Sequence, residues 1–452
     1  MAQAPSRLAQ ARPVPHIVTE LPGPRARAQI EFDHSVTSPS LPRAYPIVPV
    51  RGDGLAVEDV DGNLFLDFAA GIAVTSTGHS HPAVVARVQR QAENLLHFSA
   101  SDFYLPIYAD TCAELARISP FSGPVRVYLG NSGTEVVEAA IKLARYATKR
   151  PYVVAFLGAF HGRTYGSVSL TASKAKYHAG FGPLLPGVFH APYGRVEDLR
   201  WFDEVLFEKL VPASEIAAII VEPIQGEGGY LVPEDGFLQG LRRICDRHGI
   251  LLIADEVVTG FGRTGSLFGA RGWGVKPDFM CLAKGLTSGY VPLGATVFNA
   301  RVADAFESNA DFFGLTMHGY TYAGHPVGCA AAIASLDIVF AEDLPGNAGK
   351  QGAYLLSSLK PFVDRFEAVG DVRGKGLMVA IDLVNDKRTR EPINPMLGYA
   401  YNVAEAARCH GAIVRPVGTK IILSPPLVMQ APEIDRIVAA LDAAFAEVPF
   451  TR

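Results

Sequence analysis

Apolar and polar residues follow two rhythms along this chain, and the changes of rhythm mark its parts. From Val48 to Phe68, short apolar runs separated by Asp53-Gly54 and Asp61-Gly62 predict antiparallel strands joined by tight turns. The stretch VYLGNSGTEVVEAAIKLAR (127–145) then reads as strand, glycine turn and helix. In that helix Val137, Ile141 and Ala144 share one face while Lys142 and Arg145 point elsewhere, and Ser132 and Glu135 have capping-box spacing. Short apolar strands (Pro151–Phe156, Ile216–Val221, Ile250–Ala254) next alternate with amphipathic helices such as Gly236–His248, stopped by Gly249. Such alternation predicts an α/β architecture, a mainly parallel sheet flanked by helices. From about residue 345 the pattern restarts as a separate α/β block, with strands over Leu377–Leu383, Ala412–Arg415 and Lys420–Leu423 between helices. Residues 1–45 are polar, dotted with proline and without period.

Composition narrows the functional classes. A chain of 452 residues, 49% hydrophobic, has material for a large core and a smaller partner domain. A net charge of −4 gives no electrostatic case for nucleic acid or an anionic membrane surface. The most apolar stretch, Val327 to Leu336, falls short of the roughly 20 residues of a membrane span. The five cysteines form no CxxC pair and read as reduced thiols of a cytoplasmic protein. Arg7, Arg12, Arg25 and Arg27 near the start leave open an organellar address, but an arm lying on a partner subunit fits the prolines better. His79 and His81 only flank Ser80, and HExxH is absent, so no metal site is expected.

Four segments carry chemistry. Asp255 ends the apolar run ILLIAD, where an acid at a strand end faces either a ligand or a helix terminus. Lys284, 29 residues on, also follows an apolar segment. Alone it reads as a surface cation; converging with Asp255, a partly desolvated amine becomes a nucleophile. An acid opposite it keeps a pyridine nitrogen protonated. Gly130-Asn131-Ser132-Gly133-Thr134 opens a helix whose free amides suit either phosphate or ordinary capping. It lacks the Lys-Ser/Thr pair of a Walker loop and the GxGxxG of a dinucleotide site. In Phe160-His161-Gly162-Arg163, an aromatic face for a flat ring stands beside an arginine able to grip a carboxylate.

The succession DFAAGIAVTSTGHSHPAVV (67–85), NSGTEVVEAAIKLAR (131–145), FHGRT (160–164), EPIQGEGGY (222–230), ADEVVTGFGRTG (254–265), LAKGL (282–286) and YTYAGHPVGCAAA (320–332) resembles the class III aminotransferases, ω-amino-acid enzymes of fold-type I that use pyridoxal phosphate. The resemblance covers residues 40–440. It implies a large domain (75–344) with a mainly parallel seven-stranded sheet, and a smaller α/β domain built from both termini (1–74 and 345–452). It implies that Lys284 carries the cofactor as a Schiff base and shuttles a proton, and that Asp255 contacts the pyridinium nitrogen. Ser132, Gly133 and Thr134 then bind the phosphate, and Phe160 stacks on the ring with His161 close by. Val257 packs on the opposite ring face, and Val258 stands where 4-aminobutyrate enzymes often carry a glutamine that bonds the cofactor's phenolic oxygen. Thr321 reaches the phosphate of a neighbouring subunit, which requires a homodimer or a dimer of dimers. Ile72 lines the substrate channel.

For the small-molecule amino donor and the keto-acid acceptor, the resemblance divides. As in 4-aminobutyrate aminotransferases, Arg163 holds a distal carboxylate, Glu222 neighbours it and Glu227 masks a second arginine. That second arginine is replaced by Leu423 in KIILSPPLVM (420–429), whereas VRPVGTKIILSPPL (414–427) is similar to pyruvate-using ω-transaminases, with Arg415 as a mobile carboxylate ligand. The acceptor, pyruvate or 2-oxoglutarate, stays open, and a racemase or epimerase of the same fold is the alternative activity.

Overall fold

The computed structural model describes residues 8, 12–41, 43, 45–308 and 318–450; part of the expected N-terminal arm lies outside them. The chain forms two compact units, Met1–His81 with Lys350–Arg452, and Pro82–Gly349.

In the first unit, β1 (Pro49–Asp53), β2 (Ala56–Asp59) and β3 (Leu64–Asp67) make the expected antiparallel meander. Its turns need left-handed residues, which Gly54 (φ 60°) and Gly62 (φ 89°) supply. The periodless arm contains a helix, Pro24–Val36, of which only Ala26 is buried. Its start is held from a distance: the Asp61 carboxylate accepts from the amides of Arg25 (2.9 Å) and Ala26 (2.8 Å). A cap that arrives from another segment leaves no local sequence signal.

The second unit carries a seven-stranded sheet made of β4 (Arg126–Gly130), β5 (Tyr152–Phe156), β6 (Val188–Ala191), β7 (Ile216–Val221), β8 (Leu251–Asp255), β9 (Phe279–Leu282) and β10 (Gly294–Phe298). The spatial order is β4-β10-β9-β8-β7-β5-β6. All pairings are parallel except the two made by β10, so the sheet is mainly parallel as expected. Side chains alternate across it into two cores. Phe279 and Cys281 of β9 join Val137, Ile141 and Ala144 of the helix Gly133–Thr148 on one face, and Met280 and Leu282 join Leu115, Cys329 and Leu336 on the other. The apolar stretch around Val327–Leu336 is a buried helix, Pro326–Ala341. Among the described residues no helix is long and apolar enough to cross a membrane.

The C-terminal part of the first unit holds β11 (Val369–Lys375), β12 (Met378–Asp386), β13 (Glu391–Pro392), β14 (Ala412–Ile413), β15 (Arg415–Val417) and β16 (Lys420–Leu423). The single strand expected over Ala412–Arg415 is two strands in two sheets. β14 runs parallel to β3, and β15 pairs antiparallel with β16, so the chain changes sheet at the buried Val414.

Candidate active site

Because β10 is antiparallel to both β4 and β9, β4 points the same way as β5, β7, β8 and β9. With β6, which is parallel to β5, six strands therefore end along one edge, where open α/β sheets bind their ligands. The residues singled out in the sequence stand at these strand ends. Ser132–Thr134 come after β4, Phe160 and His161 after β5, and Glu222 after β7; Asp255 ends β8, and Lys284 stands two residues beyond β9.

Asp255 is buried and fully engaged. One oxygen accepts from the Val257 amide (3.1 Å) and the other meets His161 Nδ1 at 2.7 Å. The His161 side chain has no solvent exposure, its amide donates to Thr171 Oγ1 (2.9 Å), and its Nε2 is buried without a partner among the described residues. Lys284 is half-buried, adopts φ 46°, and starts a 3-10 turn. A lysine with positive φ is uncommon, and such strain gathers at functional sites.

The helix Gly133–Thr148 begins beside these groups. Ser132 Oγ accepts from the Glu135 amide (3.3 Å), but the Glu135 carboxylate turns to Asn131, accepting from its backbone N (2.7 Å) and Nδ2 (2.9 Å). The expected capping box is thus shifted by one residue. The amides of Gly133 and Thr134 belong to the first turn, which has no acceptors of its own. A Cβ on Gly133 would stand 3.1 Å from Val257 Cγ1, so glycine lets the helix start approach the segment after Asp255. The Thr134 hydroxyl joins those of Thr164 (2.8 Å) and Ser167 (2.6 Å), and Glu138 accepts from the Ser167 amide (2.9 Å).

Glu222 is used internally. Its two oxygens accept from the amides of Phe160 and Gly226, each at 2.8 Å, which ties two loops together. Burial pushes this carboxyl up to about 7, against the pull of the His161 imidazole, and the Asp255 charge pushes the same way. Glu227 pairs with Lys174 (Nζ to Oε2, 2.9 Å) and lies 3.5 Å from the Tyr177 hydroxyl. Phe160 meets Tyr177 edge-on at 5.4 Å, and the exposed Arg163 guanidinium lies 5.4 Å and 5.3 Å from those two rings. Val258 lies 3.6 Å from where a Cβ on Gly226 would stand.

Ile72 and Arg415 belong to the first compact unit. Ile72 is exposed in a left-handed turn, Arg415 is half-buried at the start of β15, and Leu423 is fully buried in β16. Thr321 is exposed in the turn before the helix Pro326–Ala341.

Sequence reasoning missed Lys174, Tyr177, Thr171 and Glu256. Glu256 is buried and accepts from the amides of Gly269 (2.8 Å) and Ala270 (2.7 Å) and from the Thr259 hydroxyl. Its signal was available: successive strand residues face opposite sides, so the second acid of Asp255-Glu256 points away from the first. Lys174 gave none, because its partner is 53 residues away.

Residues 39–445 match the family model of the class III aminotransferases. Among curated relatives, an acetylornithine aminotransferase of Methanothermobacter thermautotrophicus is 39% identical (89% of this chain, 95% of the relative). A 4-aminobutyrate aminotransferase of Mycobacterium leprae is 38% identical (91% and 93%). An alanine/serine racemase of Pyrococcus horikoshii is 34% identical (96% and 93%). A solved amine transaminase from an uncultivated Pseudomonas species, in its PLP-bound form, is 43% identical, with a TM-score of 0.87 over 92% of this chain and 98% of that one.

Proposed function

The chain belongs to the class III aminotransferases, which use pyridoxal phosphate, and from that premise we propose that it moves an amino group from an ω-amino acid or amine, of the 4-aminobutyrate or β-alanine type, to pyruvate or 2-oxoglutarate, as a cytoplasmic homodimer. The observation that carries the reading is the convergence of Lys284, the Asp255–His161 pair and the Gly133–Thr148 helix start at one sheet edge.

These residues fit the cofactor. The amides of Gly133 and Thr134 suit its phosphate, and Gly133 permits an approach to Val257 that a Cβ would crowd at 3.1 Å. The Asp255 carboxylate, held in place by His161 and the Val257 amide, suits a protonated ring nitrogen. When bound, pyridoxal phosphate supplies an electron sink for the carbon bearing the amino group. Lys284 Nζ would hold the cofactor and, when free of it, would carry the proton to and from that carbon. Phe160, its backbone fixed by Glu222, offers a flat wall for the ring, and Val257 the opposite one. Ser132 caps the phosphate-binding helix. Arg163 binds a donor's distal carboxylate, Arg415 an acceptor's α-carboxylate, and Ile72 borders the channel.

An exposed apolar stretch supports the dimer. Leu95, Leu96, Phe98, Phe103 and Tyr104 are all exposed, with Phe98 and Phe103 rings 4.4 Å apart. The His97 ring lies tilted against that of Tyr322, the neighbour of Thr321, with centroids 5.1 Å apart. Contiguous apolar surface of this kind marks an interface, and Thr321 would reach a partner's phosphate across it.

The test is the visible spectrum of the holoenzyme titrated with 4-aminobutyrate, β-alanine, L-alanine and 1-phenylethylamine. Conversion of the lysine-bound cofactor to pyridoxamine phosphate identifies donors, and failure with every amine rejects the reading. The racemase relative keeps a second activity in play; loss of optical rotation by one amino acid, with no keto acid present, would establish it.

A further inference from the structure

Three cations crowd one aromatic ring beside the candidate site. The Tyr177 centroid lies 5.3 Å from the Arg163 guanidinium, 5.9 Å from Lys174 Nζ and 6.0 Å from Lys176 Nζ. The same ring stands edge-on to Phe160, next in sequence to His161 on Asp255. Glu227 sits against this face, where one of its oxygens pairs with Lys174 and approaches the Tyr177 hydroxyl. The Lys174–Glu227 pair is not sealed from solvent. The Lys174 side chain is 28% exposed and that of Glu227 is 11% exposed. A lysine is a point charge on a flexible stem, without the fixed fork by which an arginine grips both oxygens of a carboxylate.

We infer that Lys174 is a specificity-determining residue: with Arg163 it forms a two-cation seat for a substrate carboxylate, and Glu227 fills that seat at Lys174 when the substrate brings no carboxylate of its own. This deepens the proposed function and rests on it. The charge count gives the direction. With Glu227 in place the face still carries two positive charges in excess, so an incoming carboxylate is attracted before it displaces anything. When it arrives, Lys174 exchanges one carboxylate for another and so keeps an anionic partner. An uncharged amine leaves the Lys174–Glu227 pair undisturbed. The seat therefore selects donors with a distal carboxylate and tolerates those without one.

Glutarate, a dicarboxylate that cannot react, reports on the seat without turnover. Its dissociation constant from the holoenzyme, measured by calorimetry, is expected to rise about 10- to 100-fold in Lys174→Met, the loss of one charge-assisted contact, and to return to within about threefold of the parent in Lys174→Arg. Glu227→Gln, which leaves the cation in place without its internal competitor, is expected to tighten glutarate. In half-reactions, the ratio of rates for 4-aminobutyrate over 1-phenylethylamine should fall by the same factor in Lys174→Met. An unchanged glutarate affinity in Lys174→Met, or weakened binding in Glu227→Gln, overturns the inference. If the parent enzyme reacts with no amine, the proposed function falls instead, and the glutarate measurements still decide whether the seat exists.

Discussion

Lys284 and the turn Ala70–Ala73 both hold left-handed backbone in residues other than glycine, and they are held there differently. Lys284 (φ 46°), like Ser288 (φ 54°) four residues on, is strained in a well-packed setting. Ala283, Gly285, Leu286, Thr287 and Ser288 around it are buried, the Leu286 amide donates to the Ala283 carbonyl (3.0 Å), and Thr287 Oγ1 donates to the Val291 carbonyl (2.7 Å). The other turn has four consecutive residues at positive φ: Ala70 (48°), Gly71 (58°), Ile72 (70°) and Ala73 (58°). There the β-branched Ile72 is half out in solvent. Its anchor is Asp67, which accepts from the amides of Ala69 (2.9 Å) and Ala70 (2.8 Å) and meets His79 Nε2 at 2.8 Å. Strain at a position fixed by its surroundings serves precision at the chemical group. In the turn, Ala70 and Ala73 are buried while Gly71 and Ile72 face solvent, so the strain there displays a side chain whose replacement is tolerated.

The largest effect should come from the fixed side of this comparison. Lys284→Ala is expected to keep the parent's fold and thermal midpoint, because the surrounding turn dictates the backbone, while transamination falls by about 10⁴-fold or more with loss of the nucleophile and proton carrier. Borohydride reduction of the holoenzyme followed by peptide mapping should label Lys284. A label on another lysine would break the assignment.

Next in size is the support of Asp255. His161→Phe removes the buried partner 2.7 Å from Asp255 Oδ2 and leaves that oxygen without its hydrogen bond. A buried charged group deprived of a hydrogen bond costs about 1.5–3 kcal/mol, so turnover should drop roughly 10- to 100-fold and the cofactor should dialyse away faster. Parental rates in both measurements would mean that the Val257 amide alone fixes Asp255.

Glu222 supplies a pH test. Burial raises its carboxyl from the ordinary range to about 7, so between about 4.5 and 7 the folded protein holds a proton that the unfolded chain has released. Stability contributed by this group is present below the unfolded value and is lost as pH rises through the folded one. Glu222→Gln should abolish that decline, and it should lower stability at pH 5 because a side-chain NH2 cannot accept from a loop amide, as the hydroxyl oxygen of the protonated carboxyl still can. Thermal midpoints of both proteins from pH 5 to 8 decide it: parallel curves would show that Glu222 does not titrate there.

The same contrast explains what the sequence made legible. Strand-end groups such as Asp255 and Lys284 announce themselves, because an apolar run must stop before a charge and the parallel sheet then gathers the ends. Contacts between distant segments do not. The helix Pro24–Val36 was invisible because its amides are capped by Asp61, and Lys174 because its acid is 53 residues away. The chain's change of sheet at Val414 was hidden too, since an unbroken apolar run reads as one strand whichever neighbours it pairs with.

The smallest expected effect tests the exposed turn and carries a sign that ordinary positions cannot give. In regular secondary structure alanine is more stable than glycine by roughly 0.5–1 kcal/mol, because glycine loses more freedom on folding. At Ile72 the order should invert. Ile72→Ala and Ile72→Gly both remove the exposed side chain, so lost burial largely cancels between them. Only glycine relieves the left-handed conformation, which costs other residues about 1–2 kcal/mol. Ile72→Gly should therefore match or exceed Ile72→Ala in stability, by up to about 1 kcal/mol, which in a chain this long amounts to about a degree in thermal midpoint. On the proposed placement of Ile72, the donor profile should shift alike in both variants, since both lose the same side chain. If the alanine variant melts clearly above the glycine variant, the turn does not store the strain that its φ values describe, and Ile72 is held by packing in the way that Lys284 is.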